Sequence, residues 1–260
     1  MSQVVDTPTA KELMQEALQK ISETEQSALA DDLEKKSRHF QSVLGRKEID
    51  SLDHERLKSL LRSIFSTRRK ATAILEQYPI EVLRPNIQVL LYGTAAIQDR
   101  FESFCFGLEG IDGNIRFDLA SELLHFTQPD RYWLWTRWMW DPKTKTGSLP
   151  LVIMDDFTLH RDTIGSTYVR IGEAVTFIND VGQAAGFQRI ARGLFGTDVY
   201  LACVYGVYLY TVLKMRMTQE FNKVMPQMPE LAARLLGTHR MDFQLHTKSL
   251  ASSGGEEPWA

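Results

Sequence analysis

Glu122 and His125 stand three residues apart, a spacing that puts a carboxylate and an imidazole on one face of a helix. Helical bundles that hold two irons use such pairs as ligands, but they require a second pair and two further carboxylates. The sequence supplies only isolated Glu102, Glu173 and Glu220. A lone histidine among Leu123, Leu124 and Phe126 is more simply a core residue with a hydrogen-bond partner, so no metal and no cofactor is assigned. Asp141, just after an aromatic run, is the third ionisable candidate. If the chain has a catalytic centre, Glu122, His125 and Asp141 are its candidates.

That aromatic run is the most unusual part of the composition. Tyr132, Trp133, Trp135, Trp138 and Trp140 are interleaved with Arg131 and Arg137, and the run holds four of the five tryptophans. Rings beside guanidinium groups can stack a nucleobase or another flat ligand, and large rings also fill the space between helices. Both readings stand, with Trp133, Trp135, Arg137 and Trp138 as the ligand or partner contacts. Arg68, Arg69 and Lys70 form the densest basic run; together with Arg131 they are the candidate nucleic-acid surface, the plainer alternative being a solvated helix face.

Helices must position these groups. Leu18, Ile21, Leu29, Leu33, Phe40 and Leu44 recur at helical spacing, predicting one or two helices over 9–44 with their charges on a solvated face, stopped at Gly45. Ser51 or Asp53 caps the next helix, whose apolar stripe is Leu57, Leu60, Leu61, Ile64 and Phe65. Pro79 and Pro85 suggest a boundary near residue 80. Ile97, Phe101, Phe104, Cys105 and Leu108 share one helix face, a glycine-rich hairpin follows, and a second helix is capped by Asn114 or Asp118 and closed by Pro129. Leu149 to Phe157 reads as a short extended segment. A helix begins at Ser166, and Gly182 to Gly186 marks a helix end or close packing. Thr197-Asp198 caps a helix that is apolar nearly all round from Val199 to Leu213 and is expected to lie centrally; it is shorter than the ~20 apolar residues that cross a bilayer. The expected organisation is a helical arm over 1–80, a helical core over 81–250 and a disordered tail over 251–260, in an all-α multi-helix bundle.

The runs Leu108-Glu-Gly-Ile-Asp-Gly113, Leu119-Ala-Ser-Glu-Leu-Leu-His-Phe126 and Gln128-Pro-Asp-Arg-Tyr-Trp-Leu-Trp135 resemble the helix-hairpin-helix DNA glycosylase superfamily over about residues 81–204. The resemblance implies that family's helical fold and a hairpin that meets a DNA phosphate. Its chemistry does not carry over. Asp112 occupies the hairpin position of the second glycine, Asn114, Ile115 and Arg116 stand where a nucleophilic lysine belongs, and Thr136 holds the position of the expected aspartate, with Asp141 about one turn late.

A net charge of −3 and a pI near 6.1 argue against a general polyanion binder. Cys105 and Cys203 sit in apolar helical runs as reduced thiols, no basic and apolar leader opens the chain, and the expected location is the cytoplasm without membrane insertion. No nucleophile elbow, phosphate loop or paired-cysteine metal motif is present. The sequence therefore favours a non-catalytic accessory or interaction protein, with a protein partner or a second copy. A base-handling or nucleic-acid-binding protein is the alternative, and an enzyme or ligand pocket around Glu122 and His125 the third. On the first reading the aromatic hairpin region is scaffold or contact surface, lacking the ionisable groups that cleaving a base from its sugar requires.

Overall fold

The computed structural model describes residues 4–184, 194–216 and 226–239; the expected tail over 251–260 and part of the Gly182 to Gly186 segment lie outside them. The described residues form ten α-helices: α1 Thr7–Leu18, α2 Glu23–Leu44, α3 His54–Ser63, α4 Ala71–Gln77, α5 Ile80–Tyr92, α6 Ile97–Phe106, α7 Gly113–Thr127, α8 Ile164–Ala184, α9 Gly196–Arg216 and α10 Met228–Leu235. The chain is all-α, as its periodicity predicts, and no described helix is long and apolar enough to cross a membrane.

Helix starts follow the local chemistry. Ser22 and Glu25 close a reciprocal capping box on α2, and Asp53 accepts from the Arg56 amide at 2.8 Å to start α3. At α7 the cap is Asp112, whose carboxylate accepts from the Asn114 amide at 2.9 Å, and neither Asn114 nor Asp118 takes that role. Pro85 lies inside α5, and Pro79 sits at its N-cap. The residues expected to be extended instead open with a 3-10 turn over Leu149–Leu151. After it, Met154 donates to the Val4 carbonyl at 2.8 Å and Asp6 to the Val152 carbonyl at 3.0 Å.

α7 is buried on nearly every side. Twelve of its fifteen residues are buried, including Asp118, Ser121, Glu122, His125 and Thr127, because α2, α5 and α6 cover it and the aromatic loop wraps it. α9, predicted to be central, is buried from Thr197 to Val204. No break in the core coincides with residue 80. One apolar cluster runs from Val5 to Leu236, with α1 packed on α9 and α2 on α7 and α9, so the described helices before residue 80 contribute to the same core.

Candidate functional site

Asp118 and Glu122 are one turn apart on α7 and form the floor of a cleft of about 330 Å³. Its walls come from four other places in the chain: Phe65 and Ser66 after α3, Thr136, Arg137, Trp138, Asp141 and Thr146 in the aromatic loop, Tyr205 of α9 and Leu235 of α10. This volume is at the lower end of the ~300–1,000 Å³ that small-molecule sites span. The site thus joins charged groups on a rigid buried helix to aromatic groups on a loop.

Lys36 of α2 lies behind the floor and is fully buried. Its ammonium donates to Glu122 Oε2 at 2.7 Å and to the Leu236 carbonyl at 3.0 Å, and sits 4.1 Å above the Phe126 ring. The Leu236 carbonyl is free to accept because Gly237, at φ +73°, turns the chain left-handed at the end of α10. Burial pushes the Glu122 pKa up and the Lys36 pKa down, while the ion pair opposes both shifts. Glu122 Oε1 has no hydrogen-bond partner among the described residues.

Asp118 is held by the aromatic loop. Its Oδ1 accepts from the Arg137 amide at 3.0 Å, and its Oδ2 lies 3.4 Å from Arg137 Nε. Burial still dominates: loss of hydration, with Glu122 one turn away, raises the carboxyl from 3.8 to about 7 against the pull of Arg137. A carboxyl that gains and loses its proton near neutrality, in a cleft, has the properties of a general acid or base.

The loop is set by its own backbone. Asp141 accepts from the Lys143 amide at 2.9 Å and its own amide donates to the Thr146 carbonyl, closing a tight turn. Gly147 then takes φ +148°, and a Cβ there would meet the Met139 carbonyl oxygen at 2.2 Å. The chain folds back so that Ser148 donates to the Trp138 carbonyl at 3.0 Å, which fixes Trp138 over the cleft. Trp138 and Tyr205 meet with ring centroids 6.3 Å apart. Polar atoms of the lining residues, among them Trp138 Nε1 and Thr136 Oγ1, are buried and have no partner among the described residues.

His125 lies on the same face of α7, one turn beyond Glu122, but it is sealed from the cleft. Its Nε2 is 3.0 Å from Asp198 Oδ2 and its Nδ1 is 2.8 Å from the Tyr132 carbonyl. Burial would lower its pKa, but Asp198 and that carbonyl outweigh burial and the net shift is upward. Asp198, read from sequence as a helix cap, is the counter-ion of this histidine inside the first turn of α9. No group of three or more His, Cys, Asp or Glu side chains among the described residues is placed to hold a metal ion.

The other candidates fall into distinct settings. Glu122, Arg137, Trp138 and Asp141 are brought together in the cleft. Trp135 is fully buried, stacked on Phe117 at 4.2 Å with its indole donating to the Trp140 carbonyl, so it offers no surface to a partner. Trp133 is half-buried and donates to Thr176 Oγ1 at 2.7 Å. Arg68, Arg69 and Lys70 are exposed in the turn between α3 and α4 and do not continue a helix face. Because α3 stops at Ser63, Phe65 leaves the predicted apolar stripe and stands 55% exposed at the cleft. Arg131 is exposed, 5.8 Å from the centre of the Tyr132 ring.

The expectation that this region lacks ionisable groups is therefore corrected: three carboxyls line one tryptophan-walled cleft. Asp118 and Lys36 were missed. Lys36 had a readable signal, since it falls on the Leu29, Leu33, Phe40, Leu44 stripe where an apolar residue belongs. Asp118 precedes Glu122 by four residues and shares its face. No family model, curated protein or solved structure matches this chain.

Proposed function

We propose that this is a cytoplasmic ligand-binding protein whose cleft holds a small molecule against Trp138 and Tyr205, with Asp118 as the proton-exchanging group. One observation carries the reading: buried Asp118 and Glu122 lie at the floor of an aromatic-walled cleft that also contains unpartnered Thr136 Oγ1 and Trp138 Nε1. A reducing compartment suits Cys105 and Cys203, both buried and unpaired, with thiols pushed up to about 12 by burial. Native mass spectrometry of the purified chain beside its Ser66→Trp variant tests the reading. A bound small-molecule mass in the parent that is absent from the folded variant supports it; matching spectra, with no thermal shift from cell extract in either protein, reject it.

A second reading keeps the glycosylase-like resemblance and treats the cleft as a pocket for a base. It is favoured by the place of Arg68, Arg69 and Lys70, which begin two residues beyond Ser66 of the cleft wall. DNA or RNA binding that weakens steeply with salt and is lost on changing all three to alanine supports it. A third, contact through helix faces, rests on exposed Val82 and Val89 of α5 and Phe106 of α6, and a stable dimer in light scattering supports it.

A further inference from the structure

The charges around the cleft pair off with one left over. Lys36 meets Glu122 at 2.7 Å and Arg137 meets Asp118 at 3.4 Å, but Asp141, half-buried in the cleft wall, has no cation within salt-bridge distance among the described residues. One Asp141 oxygen is used by the Lys143 amide, and the other has no partner among the described residues. With Asp118 ionised, the three carboxyls thus exceed the two cations by one. Beside this surplus stand the electron-rich faces of Trp138 and Tyr205, which favour a positive charge for the same electrostatic reason. Two further groups point to a bound molecule independently of charge: Thr136 and Trp138, lining residues only 4% and 6% exposed, each carry a buried polar atom, a hydroxyl and an indole N–H, that nothing described satisfies.

We infer that the cleft takes an organic monocation with a flat apolar body, its charged nitrogen held by Asp141 and the free oxygen of Glu122, its body against Trp138 and Tyr205. This rests on the ligand-binding reading above and names the ligand class. A neutral ligand leaves Asp141 without a counter-charge, and an anion adds to the excess. Arg137 does not reverse the preference, because Asp118 already accepts from its backbone amide and stands beside its Nε. Asp118 reinforces the selection as it ionises: the groups facing it are Arg137, Glu122 and Ser66, with Asp141 beyond, so a bound cation favours its charged form.

Three probes of one shape separate the possibilities: benzylammonium, benzyl alcohol and benzoate, titrated at neutral pH while the Trp138 indole N–H resonance is followed by NMR. The expected result is that benzylammonium shifts this resonance with a Kd at least tenfold below those of the other two. Asp141→Asn, which keeps an oxygen for the Lys143 amide, should erase that preference without unfolding the chain. If benzyl alcohol or benzoate binds as tightly as benzylammonium, or if Asp141→Asn retains the preference, the ligand class is overturned and the cleft reading stands. If none of the three moves the resonance at millimolar concentration, the cleft reading falls and this inference with it.

Discussion

Two stretches of one face of α7 carry the same kind of chemistry to different ends. Near the C-terminal end His125 and Asp198 form a sealed pair, each all but inaccessible, with both imidazole nitrogens engaged. One and two turns earlier, Glu122 and Asp118 have cationic partners too, yet an oxygen of Glu122 is left over and the two open onto a cleft with unpartnered polar neighbours. Burial alone does not separate a structural polar group from a functional one, since all four are buried. A position left over does not separate them either, since Asp198 Oδ1 is buried without a partner among the described residues. What separates them is whether the group lines a cavity: Asp118 and Glu122 do, and a position left over there is available to something else.

Removing a partner from the sealed pair should do the most damage. His125→Ala leaves Asp198 buried without its counter-ion, and urea denaturation should show a loss of about 3–5 kcal/mol. Ligand binding in the cleft of the remaining folded protein should be unchanged. An equal loss of binding would erase the distinction between the sealed pair and the cleft.

The next largest effect is one of pH. Folded Asp118 keeps its proton up to about 7, whereas in the unfolded chain it ionises near 3.8, so the fold holds an extra proton between those values and stability falls as pH rises through them. The gap corresponds to at most roughly 4 kcal/mol. Asp118→Asn should remove this decline, leaving the variant relatively more stable than the parent at pH 7 than at pH 4. His125 acts with the same sign at higher pH: its stabilising effect is complete below 6.5 and fades as pH climbs through its raised folded value. Melting temperatures measured every half unit from pH 4 to 8, for both proteins and for His125→Ala, resolve the two contributions.

Lys36→Met is smaller, because Glu122 keeps an oxygen towards the cleft and takes up a proton more readily once the ammonium is gone; a loss of roughly 1–3 kcal/mol is expected. Pairing it with Glu122→Leu should recover most of that loss, since an ion pair replaced by packed apolar groups is often no less stable. Failure of the double variant to recover would show that the pair organises the bundle beyond its own energy. Smallest of all, replacing Arg68, Arg69 and Lys70 by alanine should change stability by less than about 0.5 kcal/mol per residue in thermal melts, as all three are exposed.

Much of the helical plan was legible. The Ile97 to Leu108 face is buried at Phe101, Phe104, Cys105 and Leu108 as its spacing requires, and Asp53 caps α3. The misreadings share a cause. Lys36 was counted with a solvated face, Asp118 and Asp198 were read as caps, and Phe65 was placed in a stripe, each from neighbours within a few residues. The information that decided them was distant: Lys36 meets a residue 86 positions away and His125 one 73 positions away. Of the site, Glu122, Arg137, Trp138 and Asp141 stand out in the sequence, but nothing in their spacing joins them to Ser66, Tyr205 or Leu235.

By itself the sequence determined that this chain is helical, where most helices begin, and which faces are apolar, because capping, glycine and the 3.6-residue period act between near neighbours. Only the tertiary structure decided which polar residues go inside and which of those remain open to a ligand. A buried charge is tolerable only where another segment delivers its partner, and a cavity exists only where five segments fail to close.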